Sequence, residues 1–191
     1  MTIYLKAGGN ISIRNDDSLS VSKKLPLNTY IIQKHPITEE LYLETTNTMK
    51  YEGKVYGSAE SRVDRIMNTF NDRETSMGVL LSGEKGSGKS TLMRLVVMEG
   101  LKQGIPSIII NAGINAGELT QFFAKIQDNV IVILDEFEKV FNPREGQQEG
   151  FLPLLDGMFS SKKLFILGAN DRWSINDFMI NRPGRIYYHF K

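Results

Sequence analysis

The octet Gly83-Glu84-Lys85-Gly86-Ser87-Gly88-Lys89-Ser90 fits G-x-x-x-x-G-K-[ST], a pattern that works only between a strand and a helix. Both flanks are present. Met77-Gly78-Val79-Leu80-Leu81-Ser82 is a short apolar run that reads as a buried strand, and Ser90 to Glu99 is rich in helix formers with an apolar face. Glycines at these positions let backbone N–H groups converge on phosphate oxygens where a Cβ would obstruct them. The helix adds the positive end of its dipole and the unpaired donors of its first turn. Lys89 supplies a mobile charge for β- and γ-phosphates, and Ser90 a hydroxyl for Mg²⁺. The expected phosphate-binding residues are therefore Gly83, Gly86, Ser87, Gly88, Lys89, Ser90 and Thr91. Without its flanks the octet would be a glycine-rich turn ahead of a surface helix.

Upstream, Val55-Tyr56-Gly57 leads into Ser58 to Phe70, where Val63, Ile66, Met67 and Phe70 share a helical face and Ser58 with Ser61 can cap it. Downstream, Gly100 and Gly104 mark a helix exit, Ser107-Ile108-Ile109-Ile110 reads as a buried strand, and Glu118 to Ile126 as an amphipathic helix. Strands alternating with helices predict a parallel, doubly wound sheet.

Val130-Ile131-Val132-Ile133-Leu134 is a strand covered on both faces, ended by Asp135 and Glu136. Ligands of open α/β sheets bind at the carboxyl ends of strands. Asp135 there suits a direct or second-sphere Mg²⁺ role, and Glu136 can orient and deprotonate an attacking water. The alternative is an N-capping Asp with a first-turn Glu. Leu164 to Ala169 is another apolar strand, ended by Asn170, a neutral amide able to hold that water or contact the γ-phosphate. Taken alone, it is a turn residue. Arg182-Pro183-Gly184-Arg185 precedes a last strand-like segment, Ile186 to Phe190, and could by itself be a solvated turn.

Residues 1 to about 50 read differently. Four alternating, β-branched or aromatic segments (Ile11–Arg14, Leu19–Ser22, Asn28–Lys34 and Glu40–Thr45) are separated by turn residues and predict a small antiparallel β module. It would hold a partner or place the rest of the chain; equally, it could be extra sheet decorating the main domain.

The 191 residues suffice for one α/β domain with an appendage, and 41% apolar with 24% charged residues are ordinary globular values. A net charge of +1 gives no basic footprint of the kind that announces nucleic-acid binding, though it leaves a local patch open. The absence of cysteine removes disulfides and thiolate metal sites. No run approaches a transmembrane length and the amino terminus lacks a signal-peptide core, so a soluble, cytoplasmic protein is expected, of viral or bacterial source among the options.

The ordered set from about residue 55 to 191 resembles the AAA+ ATPases, and within them the AAA branch. Gly83–Ser90 is similar to Walker A, Val130–Glu136 to Walker B with its catalytic glutamate, Asn170 to the sensor-1 asparagine, and Arg182 with Arg185 to the arginine-finger pair. The resemblance implies a three-layer αβα P-loop NTPase domain with a five-stranded parallel sheet in the order 5-1-4-3-2, occupying residues 55–191 after an amino-terminal β-rich module at 1–54. It also implies ATP and Mg²⁺ as cofactors, with Ser90 and Asp135 on the metal, and Val55 and Gly57 in a segment whose backbone contacts adenine. In that family the fingers act on the neighbouring subunit of a homo-oligomeric ring, usually a hexamer. A helical lid normally follows, and this sequence stops at Lys191, so the lid is expected to be absent or truncated. Asp171-Arg172-Trp173 stands where many members of the branch have Arg-Pro after the asparagine. The loop Asn111 to Asn115 lacks the aromatic–apolar–Gly triplet with which many unfoldases grip polypeptide.

Three readings follow. The favoured one is a ring ATPase that remodels or translocates a protein or nucleoprotein. The second is a helicase or clamp-loader relative acting on DNA, against which the near-neutral charge and the Arg-Pro-Gly-Arg form weigh. The third is a nucleotide-gated scaffold with negligible turnover, and Glu136 argues against it because a pure switch needs no base.

Overall fold

Four of the strands are apolar nearly throughout, and such strands are stable only with both faces covered. In the computed structural model, which describes residues 3–7, 10–14, 20–47, 49–55, 57–111, 114–142, 147–157, 159–180 and 185–191, they are. The chain runs β1 (Ile3–Ala7), β2 (Asn10–Arg14), β3 (Thr29–Lys34), β4 (Leu41–Thr45), α1 (Ala59–Asp72), β5 (Met77–Ser82), α2 (Lys89–Lys102) and β6 (Ser107–Ile109). It continues with α3 (Ala116–Ala124), β7 (Val130–Leu134), α4 (Phe137–Val140), α5 (Gln147–Gly150), α6 (Leu152–Leu155), β8 (Lys163–Ala169), α7 (Asp177–Ile180) and β9 (Ile186–Phe190).

Alternation along the strands divides the core in two. Val130, Val132 and Leu134 of β7 face a layer holding Leu119 and Phe123 of α3, Phe137 of α4, Leu154 of α6 and Met179 of α7. Ile131 and Ile133 face the other way, onto Ile66 and Phe70 of α1 and Met93 and Val97 of α2. This is a three-layer α/β fold of the P-loop NTPase type. The face of α1 is the one that its sequence period gives, but Ser58 caps without a side-chain hydrogen bond. Gly100 does not end α2. It lies inside the helix against Ile131, so that a Cβ would collide with that side chain, and the exit is Gly104 at φ +77°.

The sheet corrects the sequence-based expectation. It has seven strands in the order β4-β3-β6-β7-β8-β5-β9, not five; β9-β5-β8-β7-β6 keep the expected 5-1-4-3-2 order among themselves, and β3 and β4 extend the sheet beyond β6. The added strands come from the segment expected to form a separate module. β3 lies parallel to β6, with Tyr30 opposite Ile108, and β4 returns antiparallel along β3. Burial drives the addition: Tyr30 and Ile32 complete the core on one face, and the Tyr30 hydroxyl donates to Pro26 O at 2.7 Å. Lys34 Nζ meets Glu118 Oε1 at 2.8 Å, tying the end of β3 to the first turn of α3. Only β1 and β2 remain apart, as an antiparallel pair with Ile3 opposite Arg14.

Candidate functional site

The loop leaving β5 turns into α2 through Gly86 and Gly88 at φ +87° and +88°, a left-handed conformation costly for residues with a Cβ. An ideal Cβ at either would meet nothing within 4 Å, so backbone conformation and open space, not packing, select glycine here. Lys89 Nζ donates to Gly83 O and, at 3.0 Å, to Glu84 O, folding the lysine back over its own loop. Ser90 Oγ donates to Asp135 Oδ2 at 2.7 Å, joining the start of α2 to the end of β7 across 45 residues of sequence. The other oxygen, Asp135 Oδ1, accepts from Glu136 N at 2.9 Å.

Close approach of β8 makes this possible. A Cβ on Gly168 would lie 2.6 Å from Asp135 Oδ1, so a glycine is required in the middle of that otherwise apolar strand. Glu136 sits at φ +50°, ψ +48°, one of two non-glycine residues with positive φ among those described. Backbone strain of this kind collects where a side chain must be aimed. Phe137, fully buried against Phe141 and Phe151 with ring centroids 5.3 Å away in each case, anchors the next residue and holds the turn in place.

Glu136 Oε1 pairs with Lys139 Nζ at 2.7 Å and accepts from Asn170 Nδ2 at 3.3 Å. The Lys139 hydrogen bond, and after it that of Asn170, holds the Glu136 carboxyl below the usual glutamate value. Glu138 was not foreseen: its Oε1 accepts from both Asn170 N at 3.1 Å and Asn170 Nδ2 at 3.0 Å. Lys89, Ser90, Asp135, Glu136 and Asn170 line one cleft of about 320 Å³, with Lys85 at its rim. The donor set fits Mg²⁺. A hydroxyl and a carboxylate are hard oxygen ligands, and this cation takes few protein ligands and completes its shell from phosphates and water.

A second cleft, of about 350 Å³, lies on the other side of the loop and shares Gly86, Gly88, Lys89 and Thr91 with the first. Val55 lines it, together with Tyr51, Ser58, Arg62 and Phe190, whereas Gly57, at φ +70°, does not. Tyr51, Arg62 and Phe190 escaped the sequence analysis because only the fold brings them together. Phe190 ends β9 beside Leu81 of β5, and the Arg62 guanidinium lies 5.2 Å from its ring centroid. The available signal was the aromatic alternation of Ile186 to Phe190.

Of the two arginines only Arg185 is described, and it is not brought to these clefts. Arg182 lies outside the described residues. Arg185 is 6% exposed, and its Nε and Nη2 grip Asp156 Oδ1 and Oδ2 at 2.6 and 2.8 Å, with Nη1 on Phe178 O at 3.3 Å. Its carbonyl accepts from Gly78 N at the amino end of β5, opposite the end from which the phosphate loop departs. This departs from the expectation of an arginine displayed at a free edge: a fork of donors fits a carboxylate of its own chain.

The family model described as "ATPase family associated with various cellular activities (AAA)" matches residues 79–191. The chain belongs to the AAA family. Among curated relatives it is 28% identical over 126 residues to the ATP-dependent zinc metalloprotease FtsH 1 of Alkaliphilus metalliredigens, covering 56% of this chain and 21% of that protein. It is 27% identical over 158 residues to FtsH 2 of Symbiobacterium thermophilum, covering 69% of this chain and 26% of the relative. The chain thus spans about a quarter or less of the length of these proteins. Among solved structures, a mutant RuvB of Thermotoga maritima aligns with a TM-score of 0.47 at 15% identity, over 70% of this chain and 43% of that one. No described helix is long and apolar enough to cross a membrane.

Proposed function

We propose that this AAA chain is a Mg²⁺-dependent ATPase that works in a homo-oligomeric ring to remodel or translocate a protein or nucleoprotein. The observation that carries the ATPase reading is the row Ser90–Asp135–Glu136–Asn170 at the mouth of one cleft, joined by direct hydrogen bonds. The glycine loop binds the phosphates through backbone N–H groups, and Lys89 leaves its loop carbonyls for the β- and γ-phosphates. Ser90 and Asp135 would hold Mg²⁺, which neutralises phosphate charge when bound. Glu136, kept ionised by its lowered pKa, orients the attacking water and takes its proton, while Asn170 fixes the carboxylate. The base lies in the cleft of Val55, Arg62 and Phe190. Arg182 would act on the nucleotide of a neighbouring subunit, since a guanidinium offers fixed donors to transition-state charge.

Steady-state phosphate release and nucleotide titration test this reading. Lys89→Ala should lose tight nucleotide binding. Glu136→Gln should bind ATP within a few-fold of the wild type and turn over at least about a hundredfold more slowly. A Glu136→Gln protein with wild-type turnover would remove Glu136 from the mechanism, and with it this account of the site.

A further inference from the structure

Glu138 is an acid beside the Glu136–Asn170 pair that the mechanism above does not use. It stands two residues after the base, on α4, and one of its oxygens accepts from both the backbone N and the side-chain Nδ2 of Asn170. Its other oxygen, Oε2, is buried and has no hydrogen-bond partner among the described residues. A buried carboxylate oxygen without a donor is unfavourable, and such a group in a folded protein calls for an explanation.

We propose that Glu138 is a positioning residue, which sets the orientation of the Asn170 carboxamide relative to Glu136. The proposal rests on the ATPase reading. A carboxamide can turn over by rotating its terminal torsion, presenting either NH₂ or C=O in one place at similar steric cost. Ionised carboxylates only accept. Glu136 and Glu138 both face Asn170 Nδ2, at 3.3 and 3.0 Å, and both would repel Oδ1 in its place. Glu136 alone could not fix the amide, because its bond is the longer of the two and Lys139 competes for the same oxygen at 2.7 Å. Glu138 adds a charge-assisted bond to the side chain and a second to the backbone N–H of the same residue, pinning Asn170 at the end of β8. With the amide nitrogen committed to the two glutamates, Oδ1 is the atom left to accept a hydrogen bond from the lytic water. A free amide would spend part of its time with the donor there instead.

A double-mutant cycle separates this role from a merely structural one. Glu138→Gln should lower kcat about tenfold while KM for ATP and the nucleotide Kd stay within about twofold, because the phosphate-binding loop is untouched. In an Asn170→Ala background the same substitution should change kcat by less than about twofold. Equal losses in both backgrounds would overturn the proposal, as would no loss in either. Side-chain amide NMR of asparagine-labelled protein gives a readout independent of turnover. The Asn170 signal, identified by its disappearance in Asn170→Ala, should exchange with solvent at least about tenfold faster in Glu138→Gln. If the wild type hydrolyses no ATP yet this signal responds, the ATPase reading fails and the positioning role stands. If the wild type turns over and neither kcat nor the signal responds, positioning fails alone. Should Glu138→Gln not fold, Glu138→Asp, which keeps the charge at shorter reach, takes its place in the cycle with an intermediate loss expected.

Discussion

The two ends of the central sheet use charge in opposite ways. At the amino end, Lys162 Nζ donates to Phe70 O, Asn71 O and Arg73 O at 2.6, 3.0 and 2.7 Å, closing the carboxyl terminus of α1. The next residue, Lys163, points to the other face and donates to Ile126 O and Asp128 O, both at 2.9 Å, just beyond α3. Arg185 grips Asp156. These cations saturate helix-end carbonyls and a carboxylate of their own chain, and they have nothing left to offer a ligand. At the carboxyl end, Lys89, Glu136 and Asn170 border an open cleft, and Glu136 is held by a half-exposed lysine. Residue type does not separate structural from functional charge here. The difference lies in place: the amino-end cations are packed against their partners, whereas Lys89, Glu136 and Asn170 border an open cleft.

Three substitutions can break or sharpen that contrast, beginning with the largest expected effect. Arg185→Ala should destabilise the fold by roughly 3 kcal/mol, since it leaves Asp156 without its forked donor, and should leave nucleotide affinity within about twofold. Urea unfolding and a nucleotide titration measure both. Wild-type stability with lost turnover would move Arg185 from the structural end to the functional one.

Lys163→Met should change stability only modestly at neutral pH, because the lost bonds to Ile126 O and Asp128 O, which the Ser161 hydroxyl still serves in part, are offset by removal of a buried charge. It should also change the pH dependence. Burial lowers the Lys163 pKa to about 8 from an ordinary 10.5. Below about pH 8 both folded and unfolded chains carry the proton, and the full penalty of burying it, on the order of 3 kcal/mol, is present. Between about 8 and 10.5 the unfolded chain binds a proton that the folded chain does not, so wild-type stability rises with pH relative to Lys163→Met. Parallel unfolding free energies for the two proteins from pH 7 to 10 would refute this.

Lys139→Met should have the smallest effect at neutral pH. Lys139 is the largest contributor to the lowered Glu136 pKa, and a base of lowered pKa stays ionised further into acid. Without it the acid limb of kcat/KM should move up toward the ordinary glutamate range, with little change in the neutral plateau. An unmoved limb would mean that Glu136 does not set it.

Legibility followed the range over which each interaction acts. The strand-loop-helix around Gly83–Ser90 and the apolar strand ending at Asp135 were readable because their chemistry is local: glycines where a Cβ would obstruct phosphates, acids at a strand's carboxyl end. Alternation in Thr29–Lys34 showed a strand but not its neighbour, since its partner β6 lies more than seventy residues on and no local pattern encodes that pairing. The base cleft was half visible. Val55 could be named only through the family resemblance, whereas Phe190 and Arg62 meet only when β9 docks on β5. Glu138 was not singled out, because its bonds to a residue thirty-two positions away give no local signal.

By itself, the sequence determined the α/β class, the phosphate loop and the family, because each rests on steric and electrostatic demands satisfied within a dozen residues. Tertiary structure alone decided that the sheet has seven strands, that Arg185 is spent on Asp156, and that Asn170 is shared by two glutamates. Those outcomes depend on which buried surfaces find cover and which polar groups find partners once water is excluded, and such competition is settled only when the whole chain packs.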